Sequence, residues 1–372
     1  MNKISVIFVI FIAFGFSKKY FSGNGDLYLA ICTIPFLYTL CVLGFHTRRS
    51  ILSLIFVGVI SFLSSDYAIR LVPSTIMFAI DWERIRIDVS DKSLLIFSAF
   101  SLAYGVFQKQ YGYSAAEWEF IFSEVGSLKS EGVTFFEELR ATSFFNSIQN
   151  YTLFAAFVTV YGFCRKNWWL LLVGVASLYL GGSRGVIIGC GITMIMCYFK
   201  SVRILSGFLL TLVIFQLLVL LPSTGFLDWK DDSNRMLVYG TFGYRLFVLD
   251  EYFSTVETYE VLFGLKDPRA IYDNIYLNIL ANIGAVGVIA ILAISREFKQ
   301  QSDYTRALLS VCVAYGVFSD ILFDLYAIFI VALFIQIQRG RRLKGLEGRG
   351  KKPRKRRVRT PTLSATKSGL VN

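Results

Sequence analysis

Long blocks of apolar residues constrain the fold of this chain more than any other feature. Apolar residues make up 55% of the 372 residues and charged residues only 17%, whereas soluble domains are about one quarter charged. We predict an all-α polytopic membrane protein with about twelve transmembrane helices, since only helices and closed barrels span a bilayer. The predicted spans are 3–16, 27–45, 51–64, 66–80, 93–107, 148–164, 167–181, 184–199, 204–221, 274–294, 306–319 and 321–338.

Basic residues in the short loops predict the orientation of the chain. Lys and Arg concentrate in the cytoplasmic loops of membrane proteins. A twelve-span count places the basic loops on one side together with the C-terminal tail, so we assign that side and both termini to the cytoplasm. Lys18 and Lys19 depart from this pattern because they fall on the outer side. The basic loops are HTRRS (46–50), RKNWW (165–169), YFKSVR (198–203) and SREFKQQSDYTR (295–306).

The net charge of +12 is located in the C-terminal tail. Residues 339–372 contain 13 Lys and Arg and one Glu, so the predicted membrane domain, residues 1–338, has no net charge. We predict that the tail is disordered and contacts the anionic headgroups of the inner membrane rather than nucleic acid.

Two long loops are predicted on the outer side. Residues 108–147 contain six Glu against three Lys and Arg, and residues 222–272 contain eight acidic against five basic residues. Both are expected to contain short helices that lie on the membrane surface or cap the bundle. The apolar residues that recur near helical spacing in the second loop are Leu249, Phe253, Val256 and Phe263.

The cysteines and the histidine offer no pattern for a metal site. All six cysteines lie inside apolar blocks without CxxC spacing, and His46 is the single histidine. We therefore expect neither a metal nor a cofactor.

Arg184 lies between two apolar runs, in the segment LYLGGSRGVIIGC (178–190) at the predicted outer face. An arginine in the middle of a span costs about 3 kcal/mol, so its position calls for a reason. One alternative is an arginine that extends to the lipid headgroups, as is common at helix ends. The other is a ligand site: Ser183 is predicted to cap the helix, and Gly185 permits close backbone approach. Backbone amides and a guanidinium would then converge where a diphosphate would bind.

Three further arginines are predicted at the outer face. Arg235 and Arg245 lie in the second loop, and Arg140 precedes the span at 148–164. Each alone is more often a partner in a loop salt bridge. Together they form a basic cluster within acidic loops, a pattern typical of a site for an anionic headgroup.

Four sequence features between residues 135 and 290 follow one another in a specific order. They are Arg140 followed by Phe144, Phe145 and Asn146; GGSRG at 181–185; Arg245 leading through a predicted helix to a turn at Gly264; and DNIYLNILANIGAVGV at 273–288, which contains Asn274 and Tyr276. In this order they resemble the motifs of the Wzy-type O-antigen polymerase and O-antigen ligase superfamily of bacterial inner membranes. The chain departs from those motifs after Arg140, where Ala-Thr-Ser replaces a glycine-containing turn.

The resemblance implies a glycosyltransferase that acts at the periplasmic face on undecaprenyl-diphosphate-linked oligosaccharides. A polymerase moves the growing glycan onto an incoming lipid-linked repeat unit, whereas a ligase transfers the finished polymer to lipid A–core. Ligases carry a histidine where this chain has Asp273, and this difference favours a polymerase. A protein that regulates chain length is an expected partner.

Glycan transfer requires a group that stabilises the leaving diphosphate and a base that deprotonates the acceptor hydroxyl. The residues predicted to bind the diphosphate are Arg184, Arg245, Arg235 and Arg140. The alternatives for the base are Asp273, Asp320 and Asp324, of which the last two share a helix face at i and i+4.

Two other functions remain open, an O-antigen ligase and a non-enzymatic flippase or transporter of lipid-linked oligosaccharide. A flippase would line its path with polar residues throughout its spans. The charges of this chain instead cluster at one face, with Arg70 and Asp324 as exceptions.

Overall fold

The computed structural model describes residues 51, 54–55, 58, 90–115, 117, 140–145, 147–199, 255–264, 275–295, 303–316, 327, 330–331 and 334. Within these ranges the regular structure is α-helical and contains no strand. The helices are α1 (Asp91–Tyr111), α2 (Ile148–Arg165), α3 (Trp168–Gly181), α4 (Arg184–Tyr198), α5 (Thr258–Phe263), α6 (Ile275–Ser295) and α7 (Asp303–Gly316).

The helix positions agree with the apolar pattern of the sequence. Each of α1 to α4, α6 and α7 coincides with a predicted span to within about four residues, a difference typical of helix boundaries, and α5 lies in the predicted second outer loop. The all-α fold class is therefore confirmed for the described part of the chain. No helix in that part has both the length and the apolar character needed to cross a membrane. The remaining predicted spans lie mostly, and the tail at 339–372 wholly, outside the described residues.

Polar side chains determine where α1 to α3 begin. Ser90 accepts a hydrogen bond from the Ser93 amide at 3.0 Å, and Ser147 accepts one from the Asn150 amide at 3.1 Å. Asn167 caps α3 in the same way. These side chains satisfy amide groups that have no partner inside the helix. For this reason α1 begins two residues before its apolar run.

Helices α2 and α3 form an antiparallel hairpin with close backbone contact. A Cβ atom on Gly174 would lie 2.5 Å from the Thr159 hydroxyl oxygen, and one on Gly181 would lie 2.2 Å from the Thr152 methyl carbon. No side chain fits at either position without a shift of the facing helix. Glycine at these two positions allows the helices to approach closely, as in other tightly packed helix pairs.

Helix α2 is the central element of the described bundle. Its residues from Asn150 to Gly162 are all buried. It packs against α3, α4 and α7, and Phe154 contacts the Phe97 ring of α1 with ring centroids 5.4 Å apart. At its other end Tyr161 donates a hydrogen bond of 2.8 Å to Asp91 at the start of α1. The end of α2 at Ile148 therefore lies beside the end of α1 at Tyr111.

Helix α1 buries polar residues and exposes apolar ones. Its buried face includes Ser98, Ser101 and Gln108. On the opposite face Phe100 is 65% exposed and Tyr111 is 74% exposed. Helices of soluble proteins show the reverse arrangement. A similar row of exposed apolar side chains runs along one face of α3. It consists of Trp168, Leu172, Val175 and Tyr179.

Helix α6 is interrupted near its midpoint, where it contacts α5. Gly284 breaks the helix with a φ of 64° and a ψ of −164°. A Cβ atom on Gly284 would lie 2.3 Å from the Leu262 backbone, and one on Gly264 would lie 2.6 Å from the Asn282 backbone. Helix α5 therefore packs against the middle of α6, at the break in this helix.

A pair of thiols provides a test of the contact between α2 and α4. The sulfur atoms of Cys164 and Cys197 lie 3.8 Å apart, and a disulfide requires them to approach to about 2.05 Å. We expect copper phenanthroline to join them in a variant in which Cys32, Cys41, Cys190 and Cys312 are alanine. Denatured, oxidised protein should then take up no polyethylene glycol maleimide, whereas unoxidised protein takes up two.

Further replacement of Cys197 by alanine provides the control, since the single remaining thiol should react with maleimide before and after oxidation. Two reactive thiols after oxidation of the two-cysteine variant would show that α2 and α4 are not adjacent at these positions.

Candidate functional site

The Ser-Arg-Gly segment forms the junction between α3 and α4. Gly182 ends α3 in the left-handed conformation (φ 61°), and its amide donates to the Leu178 carbonyl at 3.0 Å. Ser183 occupies the N-cap position of α4, yet its hydroxyl makes no capping hydrogen bond, so the prediction of a side-chain cap is wrong. Arg184 begins α4 and Gly185 is buried, while the placement of the Arg184 side chain is outside the described structure.

The loop that contains Arg140 lies against this junction. The Ala141 amide donates to the Leu180 carbonyl at 3.1 Å, which attaches the loop to the end of α3. The side chain of Arg140 is exposed and extends across Gly182. Its Cγ, Cδ and Nε atoms lie 3.6 Å from the position that a Cβ on Gly182 would occupy. Two segments predicted to bind diphosphate are thus adjacent, although about 40 residues separate them in sequence.

A buried amide side chain on α1 holds the backbone of the same loop. The Gln108 Oε1 atom accepts hydrogen bonds from the amides of Thr142 and Ser143, at 3.1 and 2.7 Å. Its Nε2 atom donates to the Thr142 hydroxyl at 3.2 Å and to Glu117 Oε1 at 2.8 Å. The Gln108 side chain thus joins α1, the Arg140 loop and the segment that follows α1.

Glu117 is a buried carboxylate that accepts several hydrogen bonds. Oε1 accepts from Gln108 and from the Tyr104 hydroxyl at 3.1 Å. Oε2 accepts from the amide and hydroxyl of Ser114, at 2.9 and 3.0 Å. These donors satisfy both oxygens of the carboxylate in its buried position.

Tyr113 lies between Glu117 and Arg140. Its hydroxyl donates a hydrogen bond to the backbone carbonyl of Arg140. Burial and the negative charge of Glu117 raise the pKa of Tyr113 well above its usual range, and a side-chain hydrogen bond with Thr142 and the Arg140 charge only partly oppose this shift. The phenol therefore remains protonated and able to donate at any ordinary pH.

Tyr276 connects α6 to α7 near the same end of the bundle. Its hydroxyl donates to the Val313 carbonyl at 2.8 Å. Ala314, which follows Val313 in α7, contacts Gly189 early in α4, where a Cβ on the glycine would lie 3.0 Å from the alanine Cβ. Tyr276 thus joins α6 to α7 through a hydrogen bond to the backbone.

The described structure contains some of the predicted site and not the rest. It places Arg140, Ser183 and the first residue of α4 together. Phe144 stacks on Tyr104 at 4.9 Å and Phe145 is buried, so these motif aromatics anchor the loop. Other predicted site and motif residues lie outside the described residues, namely Asp273, Asn274, Asp320, Asp324, Arg235, Arg245 and Asn146. The described ranges contain no group of three or more metal-ligand side chains.

The residues that hold the Arg140 loop are not among the predicted site residues. Glu117 contributes only to the acidic charge of the first predicted loop, and Gln108 belongs to none of the motifs. A signal for Gln108 exists, because it follows the predicted span at 93–107 directly and continues the face of Ser98, Ser101 and Gly105 at helical spacing. A polar face on such a helix indicates buried hydrogen bonds.

Comparison with protein-family models, with curated proteins and with solved structures finds no match to this chain.

Proposed function

We propose that this chain is a polysaccharide polymerase of the bacterial inner membrane. It would transfer a growing glycan from undecaprenyl diphosphate onto an incoming lipid-linked repeat unit at the periplasmic face, without a metal ion. The proposal combines the resemblance to O-antigen polymerases with the arrangement of the described helices and the Arg140 loop.

The polarity of α1 supports a membrane location. Its exposed face is apolar around Phe100 and Phe107, and its buried face is polar around Ser101 and Gln108. An exposed apolar surface of this kind is unfavourable in water and favourable against lipid chains. The exposed basic residues Lys92, Arg165 and Lys166 lie at the opposite end of the bundle from Arg140, in keeping with a cytoplasmic and a periplasmic end.

The observation that carries the proposal is the proximity of the Arg140 side chain to the junction at Gly182. A guanidinium beside the start of α4 adds its charge to the helix dipole and to the amides of the first turn. This combination suits a diphosphate, which carries negative charge on several oxygens.

The proposed reaction is a displacement at the anomeric carbon of the donor glycan. The acceptor hydroxyl oxygen forms the new bond to this carbon, and the bond between the carbon and the diphosphate oxygen breaks. The electron pair leaves with undecaprenyl diphosphate, whose charge the arginines stabilise. The hydroxyl proton passes to a carboxylate, for which Asp273, Asp320 and Asp324 are the candidates.

The test is the length distribution of surface glycan in a strain that lacks the gene for this chain. We expect the deletion strain to display single repeat units on core lipid, and the wild-type chain to restore a long ladder on a gel. Loss of a factor that acts only in elongation has this effect, because attachment to core lipid remains intact.

Two other results would identify the alternative functions. Core lipid without any attached glycan, with polymer retained on undecaprenyl diphosphate, would indicate a ligase. Repeat units retained on the cytoplasmic side would indicate a flippase. An unchanged surface glycan would contradict all three functions.

A further inference from the structure

The Arg140 loop is fixed through its backbone, while the arginine side chain extends away from it. The Arg140 carbonyl accepts a hydrogen bond from Tyr113, and the Ala141 amide donates to the Leu180 carbonyl. The next two amides, of Thr142 and Ser143, donate to Gln108. The direction of the Arg140 side chain across Gly182 therefore depends on side chains from other segments.

The orientation of the Gln108 amide is set by Glu117. An ionised carboxylate is only an acceptor, so it must face the Nε2 group of the amide. This leaves Oε1 directed at the loop, where it accepts from Thr142 and Ser143. If the Gln108 amide were reversed, its oxygen would face the Glu117 carboxylate. Its NH2 group would then face the amides of Thr142 and Ser143, which are donors as well. Glu117 thus specifies the orientation in which Gln108 holds the loop.

Glu117 itself is poorly suited to proton transfer. Its side chain is 2% exposed, and each carboxylate oxygen accepts from two donors. A base must reach the acceptor hydroxyl and have a free lone pair directed at it. The geometry therefore separates this carboxylate from the predicted base residues and assigns it a role in the support of the loop.

We propose that Gln108, oriented by Glu117, is a positioning residue that directs Arg140 at the diphosphate of the lipid substrate. This inference rests on the proposed function, because it assumes that Arg140 contacts a lipid diphosphate. It adds two residues that act through Arg140 and do not contact the substrate. Gln108 and Glu117 form what we call the amide clamp of the Arg140 loop.

The test measures the affinity of purified protein in detergent for tritiated farnesyl diphosphate by equilibrium dialysis. Gln108→Glu keeps an acceptor for the loop amides but places a second carboxylate against Glu117. We expect Gln108→Glu and Arg140→Ala each to raise the Kd about tenfold, the usual effect of losing a hydrogen bond to a charged group. The double variant should bind no more weakly than Arg140→Ala alone, since two residues that act through one contact are not additive.

The exchanged pair Gln108→Glu with Glu117→Gln distinguishes positioning from general loss of structure. The new amide at 117 donates to the new carboxylate at 108, which again accepts from the loop. We expect the exchanged pair to recover a Kd within about threefold of the wild type, because the same pairing of donor and acceptor is restored. Gln110→Glu is the matched control, since it adds the same charge to an exposed position two residues further along α1. It should bind as the wild type does.

Four outcomes would overturn the proposal. Gln108→Glu with wild-type affinity would show that the amide clamp is not required. Losses that multiply in the double variant would show that Gln108 does not act through Arg140. Wild-type affinity in Arg140→Ala, or no binding by the wild-type chain, would remove the assumed contact. The surface-glycan ladder tests the polymerase function separately, so a ladder restored by the wild type alongside any of these results leaves that function standing.

Discussion

Replacement of Arg184 by lysine is expected to abolish long glycan in cells. It should also lower the rate of glycan transfer in reconstituted vesicles at least tenfold, the usual effect of a lost hydrogen bond to a charged group. Lysine keeps the positive charge and has a similar helix propensity, so α4 should still begin at this residue. It loses the planar fork that binds two phosphate oxygens at once. The measurement is the transfer rate with purified lipid-linked repeat units, together with the ladder in cells at matched protein level.

Arg165→Lys is the matched control for this variant. Arg165 is an exposed arginine at the opposite end of the bundle, in the last turn of α2. The same change there should leave the rate unaltered. A full ladder from the Arg184→Lys chain would mean that this residue is only an anchor to the headgroups, and the predicted role in diphosphate binding would be wrong.

Gly181→Ala is expected to lower the midpoint of thermal unfolding by about 5 °C and to reduce transfer activity, as overpacking costs about 1–3 kcal/mol. The added methyl group would lie 2.2 Å from the Thr152 methyl carbon and 3.3 Å from the Tyr151 ring. The end of α3 must move to relieve this contact. Such a movement displaces Gly182 and the start of α4. Unfolding in detergent, followed by tryptophan fluorescence, measures the stability.

A second substitution should reverse this effect if the contact is its cause. Thr152→Ser removes the methyl group but keeps the hydroxyl, which donates to the carbonyls of Ile148 and Gln149. We expect Thr152→Ser to restore most of the stability lost in Gly181→Ala. Gly191→Ala is the matched control, because a Cβ at Gly191 would meet no atom within 4 Å. Equal losses in both glycine variants would instead indicate a general effect of alanine.

The helices of the described region were predictable because apolar runs and caps are local signals. The run at 93–107 gave the body of α1, and the polar cap Ser90 accounts for the earlier start seen in the structure. The predicted junction at Gly182 and Ser183 is also observed, since a glycine after an apolar run is a common helix end. The break at Gly284 was not predicted because the apolar run continues across it without interruption.

The support of the candidate site was not predictable for a different reason. Gln108 and Ser143 are 35 residues apart, and a hydrogen bond from a backbone amide to a distant side chain leaves no periodic pattern in a sequence. The position of Arg184 between two apolar runs and that of Arg140 before a span predict a role for both, and the resemblance to a family supported this prediction. It gave no reason to consider Glu117, which lies outside the residues that carry the resemblance.

The backbone of Ser143 has a consequence for the energetics of ligand binding. This residue has a φ of 51°, and a non-glycine residue in the left-handed region costs about 1 kcal/mol or more. Its hydroxyl donates a hydrogen bond to the Ser101 carbonyl at 2.6 Å, and its amide donates one to the Gln108 side chain. These two hydrogen bonds offset the cost during folding. The loop is thus preorganised. A ligand that reaches Arg140 has to restrict only a side chain, so less of the binding free energy is lost to conformational entropy.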